Sequence, residues 1–161
     1  MEPISTQLHN DTLAPHFKTL NEEWLKRLFV VEPIDQKVLS QPEKIIAEGG
    51  QIIYALSHDQ VVGCVALKHH GEGVYELTKM AVTADFQARG IGAVLMAKCL
   101  QEFVNLKGKK LYLETHSSLQ PAIKLYARFG FVSLPHPFES EYQRSDYYME
   151  YTGELSAAQS S

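Results

Sequence analysis

The chain has 161 residues, of which 45% are hydrophobic and 21% charged, the balance of one ordinary globular domain with its own core. Its formal net charge of -4 comes from 19 acidic against 15 basic residues, and the basic ones are dispersed instead of forming a stripe, which argues against nucleic acid as a partner. No apolar run reaches the roughly 18 to 20 residues of a membrane helix, and no CxxC pair is present, so neither a membrane span nor a disulfide or cysteine-zinc framework is indicated.

The start, Met1-Glu2-Pro3-Ile4-Ser5, lacks a basic segment leading into an apolar one, so a cytoplasmic location is expected. Residues 3–10 alternate as a short first strand. From Asp11 or Thr12, Leu13, Phe17, Leu20, Trp24, Leu25 and Leu28 recur at helical spacing. Pro33 breaks that helix, and a second is predicted over 35–48, with Pro42 marking a kink or a division and Gly49-Gly50 the end. Residues 51–56 and 61–67 then read as a hairpin, and residues 74–82 as a third antiparallel strand. A long helix follows from Gly90 to about Leu106, then a strand at 110–115, a helix from Pro121 to Gly130, and strands at 131–134 and 146–151. One domain over 1–152 is expected, with a disordered tail at 153–161.

The third strand runs directly into Gln87-Ala88-Arg89-Gly90-Ile91-Gly92-Ala93 and the long helix. Glycines here remove Cβ atoms that would keep an anion away, and the first helical amides are unpaired, so the turn can bind phosphate or pyrophosphate. Alone, a GxG is better explained by a tight strand-to-helix connection. A Rossmann fingerprint requires a small residue where Leu95 stands, and a Walker loop requires Gly-Lys-Ser/Thr, which is absent.

Gln87, Gly90 and Gly92 match the (Arg/Gln)-x-x-Gly-x-(Gly/Ala) motif, and Ala122, Leu125, Tyr126, Gly130 and Phe131 match Ala-x-x-Leu-Tyr-x-x-x-Gly-Phe. In these two motifs the chain resembles the GCN5-related N-acetyltransferase (GNAT) family. The resemblance implies an α/β (α+β) fold: a mostly antiparallel, twisted mixed sheet of about seven strands flanked by about four helices, with strands four and five parallel and splayed. It implies acetyl-CoA as acyl donor, without a metal. By resemblance, backbone groups of Met80, Ala81 and Val82 hold the pantetheine arm, and the amides of Gln87, Ala88, Arg89, Gly90, Ile91, Gly92 and Ala93 hold the pyrophosphate.

Acyl transfer to an amine needs a base, a polarised carbonyl and an acid for the leaving thiolate. The resemblance makes Tyr126 the acid; its helical spacing from Ile123 and Phe129 equally suits a core residue. Glu76, four residues before Met80, is the candidate base, and strand alternation places Glu76, Thr78 and Met80 on one face. Glu114 and His116 are rivals. Many family members have Asn where this chain has Leu119, and His116 or Ser118 are possible substitutes. Residues 142–146 and Glu32 could wall an acceptor pocket or be solvated loops. The partner expected is a small-molecule amine, with a protein N-acetyltransferase and an acyl-CoA-binding sensor without turnover as the alternatives, and Tyr147, Tyr148 and Tyr151 make a homodimer an option if exposed.

Overall fold

Seven strands form one sheet in the computed structural model, which describes residues 3–153. They are β1 (Ile4–Leu8), β2 (Gln51–Ser57), β3 (Gln60–His69), β4 (Val74–Val82), β5 (Lys110–Thr115), β6 (Phe131–Leu134) and β7 (Tyr147–Tyr151), ordered β1-β2-β3-β4-β5-β7-β6. All neighbours are antiparallel except β4 and β5. Positions 154–161, where most of the expected disordered tail falls, lie outside the described residues.

Five described α-helices cover the sheet: α1 (Ala14–Leu28), α2 (Pro33–Leu39), α3 (Pro42–Ala47), α4 (Ile91–Asn105) and α5 (Gln120–Arg128). Of the kink or division expected at Pro42 in the helical stretch 35–48, the structure has the division, and Pro33 and Pro42 each occupy the first helical position. There a missing N–H removes no hydrogen bond, whereas inside a helix it breaks the ladder.

Both faces of the sheet are covered, so its central strands are apolar on both sides. Ile53, Leu67, Leu77, Leu111 and Leu113 pack under Ile91, Leu95, Met96, Cys99 and Phe103 of α4. Ile52, Tyr54, Cys64 and Ala66 pack on the opposite face, under Phe17, Leu20 and Leu25 of α1 and Leu39 and Ile45 of α2 and α3. The alternation of Ile52 and Ile53 between the clusters is the two-residue period of a strand.

One irregularity in β4 shapes the site. Ala66 pairs with Thr78 and Cys64 with Ala81, so β4 contains one residue more than β3 across this stretch. Lys79 absorbs it at φ 58, a left-handed conformation that strains a non-glycine residue. The bulge reverses the alternation: Met80 and Val82 pack toward the α4 side and Ala81 toward α1. Met80 therefore does not share a face with Glu76, contrary to simple strand spacing. The bulge is held from α1, where buried Asn21 donates to Phe17 O at 2.9 Å and to Cys64 Sγ at 3.3 Å. Cys64 in turn donates to Lys79 O at 3.7 Å. Burial pushes this thiol up to about 12, so it keeps the proton that it donates.

The aromatic residues of β7 are not the exposed surface a dimer would use. Tyr148 is buried, and Tyr147 and Tyr151 pack against the α4-side core, because β7 lies between β5 and β6 and not at the sheet edge. Truncating Leu95, which is fully buried against the sheet, is expected to cost about 2–5 kcal/mol in urea denaturation, the range for a buried leucine that leaves a cavity. Val104→Ala, on the exposed side of the same helix, should stay within about 0.5 kcal/mol.

Candidate active site

Only three register pairs join β4 to β5: Val74 with Lys110, Tyr75 with Leu111, and Glu76 with Tyr112. Beyond Glu76, β4 remains paired to β3 and β5 to β7. Their facing edges diverge, and a cavity of about 600 Å³ occupies the split. The facing backbone groups of the diverging edges have no strand partner across the gap, although the Gln87 side chain donates to Val82 O at 3.2 Å.

At the end of β4 the chain is tied down on both sides. Thr83 N donates to Val62 O at 2.9 Å, and the Glu23 carboxylate accepts from Ala84 N at 3.3 Å. After the 3-10 turn Ala84–Phe86, Ala88 and Gly90 adopt φ 62 and 80. Left-handed residues alternating with ordinary ones turn successive N–H groups into one concavity, a nest suited to an anion. The two glycines have different roles: a Cβ on Gly90 would meet nothing within 4 Å, whereas one on Gly92 would lie 3.0 Å from Leu125 Cδ2. Gly90 thus serves the turn and leaves space above it, and Gly92 allows α5 close to α4.

Of the residues expected to hold the donor or to act as base and acid, all but Arg89 line this cavity; of the further candidates, Glu32 and Ser118 do not. The Arg89 guanidinium sits 5.0 Å from the Phe86 ring centroid, a cation–π contact. Tyr126, on α5, lies on the cavity wall and against Phe131. Burial, assisted by Cys99, pushes its hydroxyl up to about 12, so it holds its proton at neutral pH. Leu119 is the N-cap residue of α5 and makes no side-chain cap bond. Of its possible substitutes, Ser118 is engaged by His116, whose Nδ1 lies 2.7 Å from Ser118 Oγ.

The α1 side of the cavity carries the charge. Glu76 is buried, with Oε1 2.9 Å from His70 Nε2. Glu114 Oε1 lies 3.0 Å from His136 Nε2 and accepts from Ser145 Oγ at 3.2 Å. Residues 142–146 do reach the wall, through Tyr142, Arg144 and Ser145. Glu32 is not solvated: its carboxylate accepts from Gln143 N at 2.8 Å and from Arg144 Nη1 at 3.2 Å.

Sequence reasoning missed the group at the centre of this wall. Asp35 is fully buried and accepts from Lys79 Nζ at 2.5 Å, from Arg144 Nη1 and Nη2 at 2.8 and 2.6 Å, and from Glu32 N at 2.8 Å. Burial alone would raise its carboxyl, but Arg144 and Lys79 outweigh that and hold it at about 2. Burial lowers Lys79, with Asp35 opposing. The Tyr142 ring faces both cations, 4.5 Å from Lys79 Nζ and 4.8 Å from Arg144 Cζ. No local pattern marks these partners, because they are 44 and 109 positions apart.

A cavity entered from a helix N-terminus, in a sheet split between its two parallel strands, agrees with the comparisons to known proteins. The chain belongs to the acetyltransferase (GNAT) family, whose model matches residues 11–131. It is 27% identical over 120 residues to an uncharacterized N-acetyltransferase of Schizosaccharomyces pombe, covering 71% of this chain and 74% of that one. It is 32% identical over 104 residues to an uncharacterized N-acetyltransferase of Bacillus subtilis, covering 58% and 69%. Among solved structures, a GNAT-family acetyltransferase from Staphylococcus aureus aligns with a TM-score of 0.80 at 21% identity, over 92% of this chain and 98% of that one. PaiA N-acetyltransferase from Thermoplasma acidophilum, solved in complex with coenzyme A, aligns with a TM-score of 0.71 at 14% identity, over 92% and 98%. These two share the fold. Among the described residues no helix is long and apolar enough to cross a membrane, and no group of three or more His, Cys, Asp or Glu is arranged to hold a metal ion.

Removing the central carboxylate should unfasten the wall. Asp35→Ala leaves the buried Lys79 without its anion and Arg144 with Glu32 alone, and is expected to cost about 3–5 kcal/mol in urea denaturation. Because folding lowers the Asp35 carboxyl from 3.8 to about 2, its contribution is complete above the unfolded value and is lost as pH falls toward the folded one. Wild-type stability should therefore decline across that window, and Asp35→Asn should lack this part of the decline.

Proposed function

We propose that this chain is an acetyl-CoA-dependent N-acetyltransferase that acetylates the primary amine of a small molecule by direct attack in a ternary complex. One observation carries the reading: the single cavity at the β4–β5 split has the nest of residues 87–93 at one end and Tyr126 and Glu76 on its walls. Acetyl-CoA supplies the activated acetyl thioester. The residues present suit it. The open space above Gly90 and the amides that begin α4 fit a pyrophosphate, and the edge at Met80, Ala81 and Val82, which has no strand partner on the β5 side, fits an amide-bearing arm that can bond as a strand does.

Four tasks fall to the protein. The edge of β4 orients the donor and offers an N–H to the acetyl oxygen as negative charge builds there. Glu76 takes the proton of the attacking amine. Tyr126 carries its proton at working pH and gives it to the departing sulfur. Apolar side chains of α1, including Trp24, Leu25 and Leu28 on the wall, limit water around the reacting atoms. Direct attack is favoured over a covalent relay because Cys64 and Cys99 are fully buried and neither lines the cavity. Two buried free thiols also suit the reducing cytoplasm.

Tyr126→Phe should lower kcat by about 10²-fold or more, the range for loss of a general acid, while calorimetry shows coenzyme A affinity within about twofold of wild type. Glu76→Gln should lower kcat similarly. Release of free thiol across a panel of amines reads both, and unchanged turnover in either variant would remove that residue from the mechanism.

A further inference from the structure

Glu76 and Glu114 form a matched pair. On β4, Tyr75 and Leu77 point into the α4-side core, as do Leu111 and Leu113 on β5, so Glu76 and Glu114 between them share the opposite face. Both line the cavity, and their side chains are only 8% and 7% exposed. Each is fixed through one oxygen: His70 engages Oε1 of Glu76, and His136 with Ser145 engages Oε1 of Glu114. The second oxygen of each has no protein partner among the described residues. A buried carboxylate with an open oxygen in a cavity calls for a cation to meet it. The neighbouring basic side chains leave these second oxygens open, since Lys79 and Arg144 are bound by Asp35 and Glu32 and His70 and His136 meet only the Oε1 atoms.

From these observations, and resting on the acetyl-transfer reading above, we infer that the acceptor is a diamine: one amino group gives its proton to Glu76 while the second, still an ammonium, is held by Glu114. Glu76 pairs in register with Tyr112, two residues before Glu114. With ~4.8 Å between strands and ~3.3 Å per residue, the two Cα atoms are about 8 Å apart or slightly more as the strands splay. That separation suits two nitrogens joined by several methylenes. The apolar α1 wall beside the carboxylates suits the chain between them. The same arrangement disfavours an acceptor whose far end is an anion, because the protein cations there are already neutralised. Glu114 is the specificity-determining group and Glu76 the proton acceptor.

The test is steady-state acetylation by the full chain with the four-carbon diamine, butylamine and aminobutanoate as acceptors. The diamine should exceed butylamine in kcat/KM by about 10- to 100-fold, the value of one charge-assisted bond in a partly buried site. Aminobutanoate should fall below butylamine. Glu114→Gln should bring the diamine down to the monoamine by raising its KM. Equal use of diamine and butylamine by the wild type, a preference for aminobutanoate, or a Glu114→Gln variant that loses kcat on all acceptors alike would overturn the assignment. The wild-type comparison stands even if the variant fails to fold. Turnover of butylamine without a diamine preference sinks the diamine alone, whereas acetyl-CoA binding with no turnover of any amine sinks acetyl transfer and the diamine together.

Discussion

The constraint on which the rest depends is the shortness of the parallel ladder. Three residue pairs join β4 to β5, and then each strand keeps only its outer neighbour. A sheet normally leaves no room for a ligand among its strands, because every backbone group is paired and every face covered. Here the pairing stops at Glu76, and both the exposed strand edges and the cavity follow from that stop. The covered faces keep the opening from spreading: α4 and α5 pack on one side and α1 to α3 on the other, so the strands diverge over a few residues without the core coming apart.

Two devices hold the split in shape, and both act through buried polar groups. The bulge at Lys79 is fastened to α1 by the Asn21 and Cys64 bonds. The same lysine reaches Asp35, which also receives Arg144 from the segment before β7. One carboxylate thus joins the bulged strand, a short helix and a late loop. A buried charge left single would cost several kcal/mol, so the three elements are constrained to meet, and their meeting place is one wall of the cavity. The Tyr142 ring beside both cations adds to that constraint.

The strands and long helices were legible because each follows a local rule: a two-residue period in β2 to β5, a helical stripe in α1 and α4, prolines and glycines at the boundaries. The nest was legible for the same reason, as its residues are consecutive. The bulge was not, since Lys79 has no mark of its own and its left-handed backbone arises from pairing with β3. That single hidden residue misplaced Met80 relative to Glu76. Asp35 was invisible for a different reason. An aspartate near the start of a helix is ordinarily read as a cap, and Asp35 does accept from Glu32 N, while its larger role depends on residues distant in sequence.

The position of β7 has a consequence for assembly. The last strand in the chain lies between β5 and β6, and the loop leading into it supplies Arg144. On a growing polypeptide the first four strands can pair as neighbours soon after they emerge, since each adjoins the one before it. The half of the sheet beyond the split must wait for β7. Contacts of such long sequence separation form late and slowly, so the wall that carries Arg144 takes shape after the first four strands, and a chain stalled before β7 would hold the nest facing an unfinished cavity.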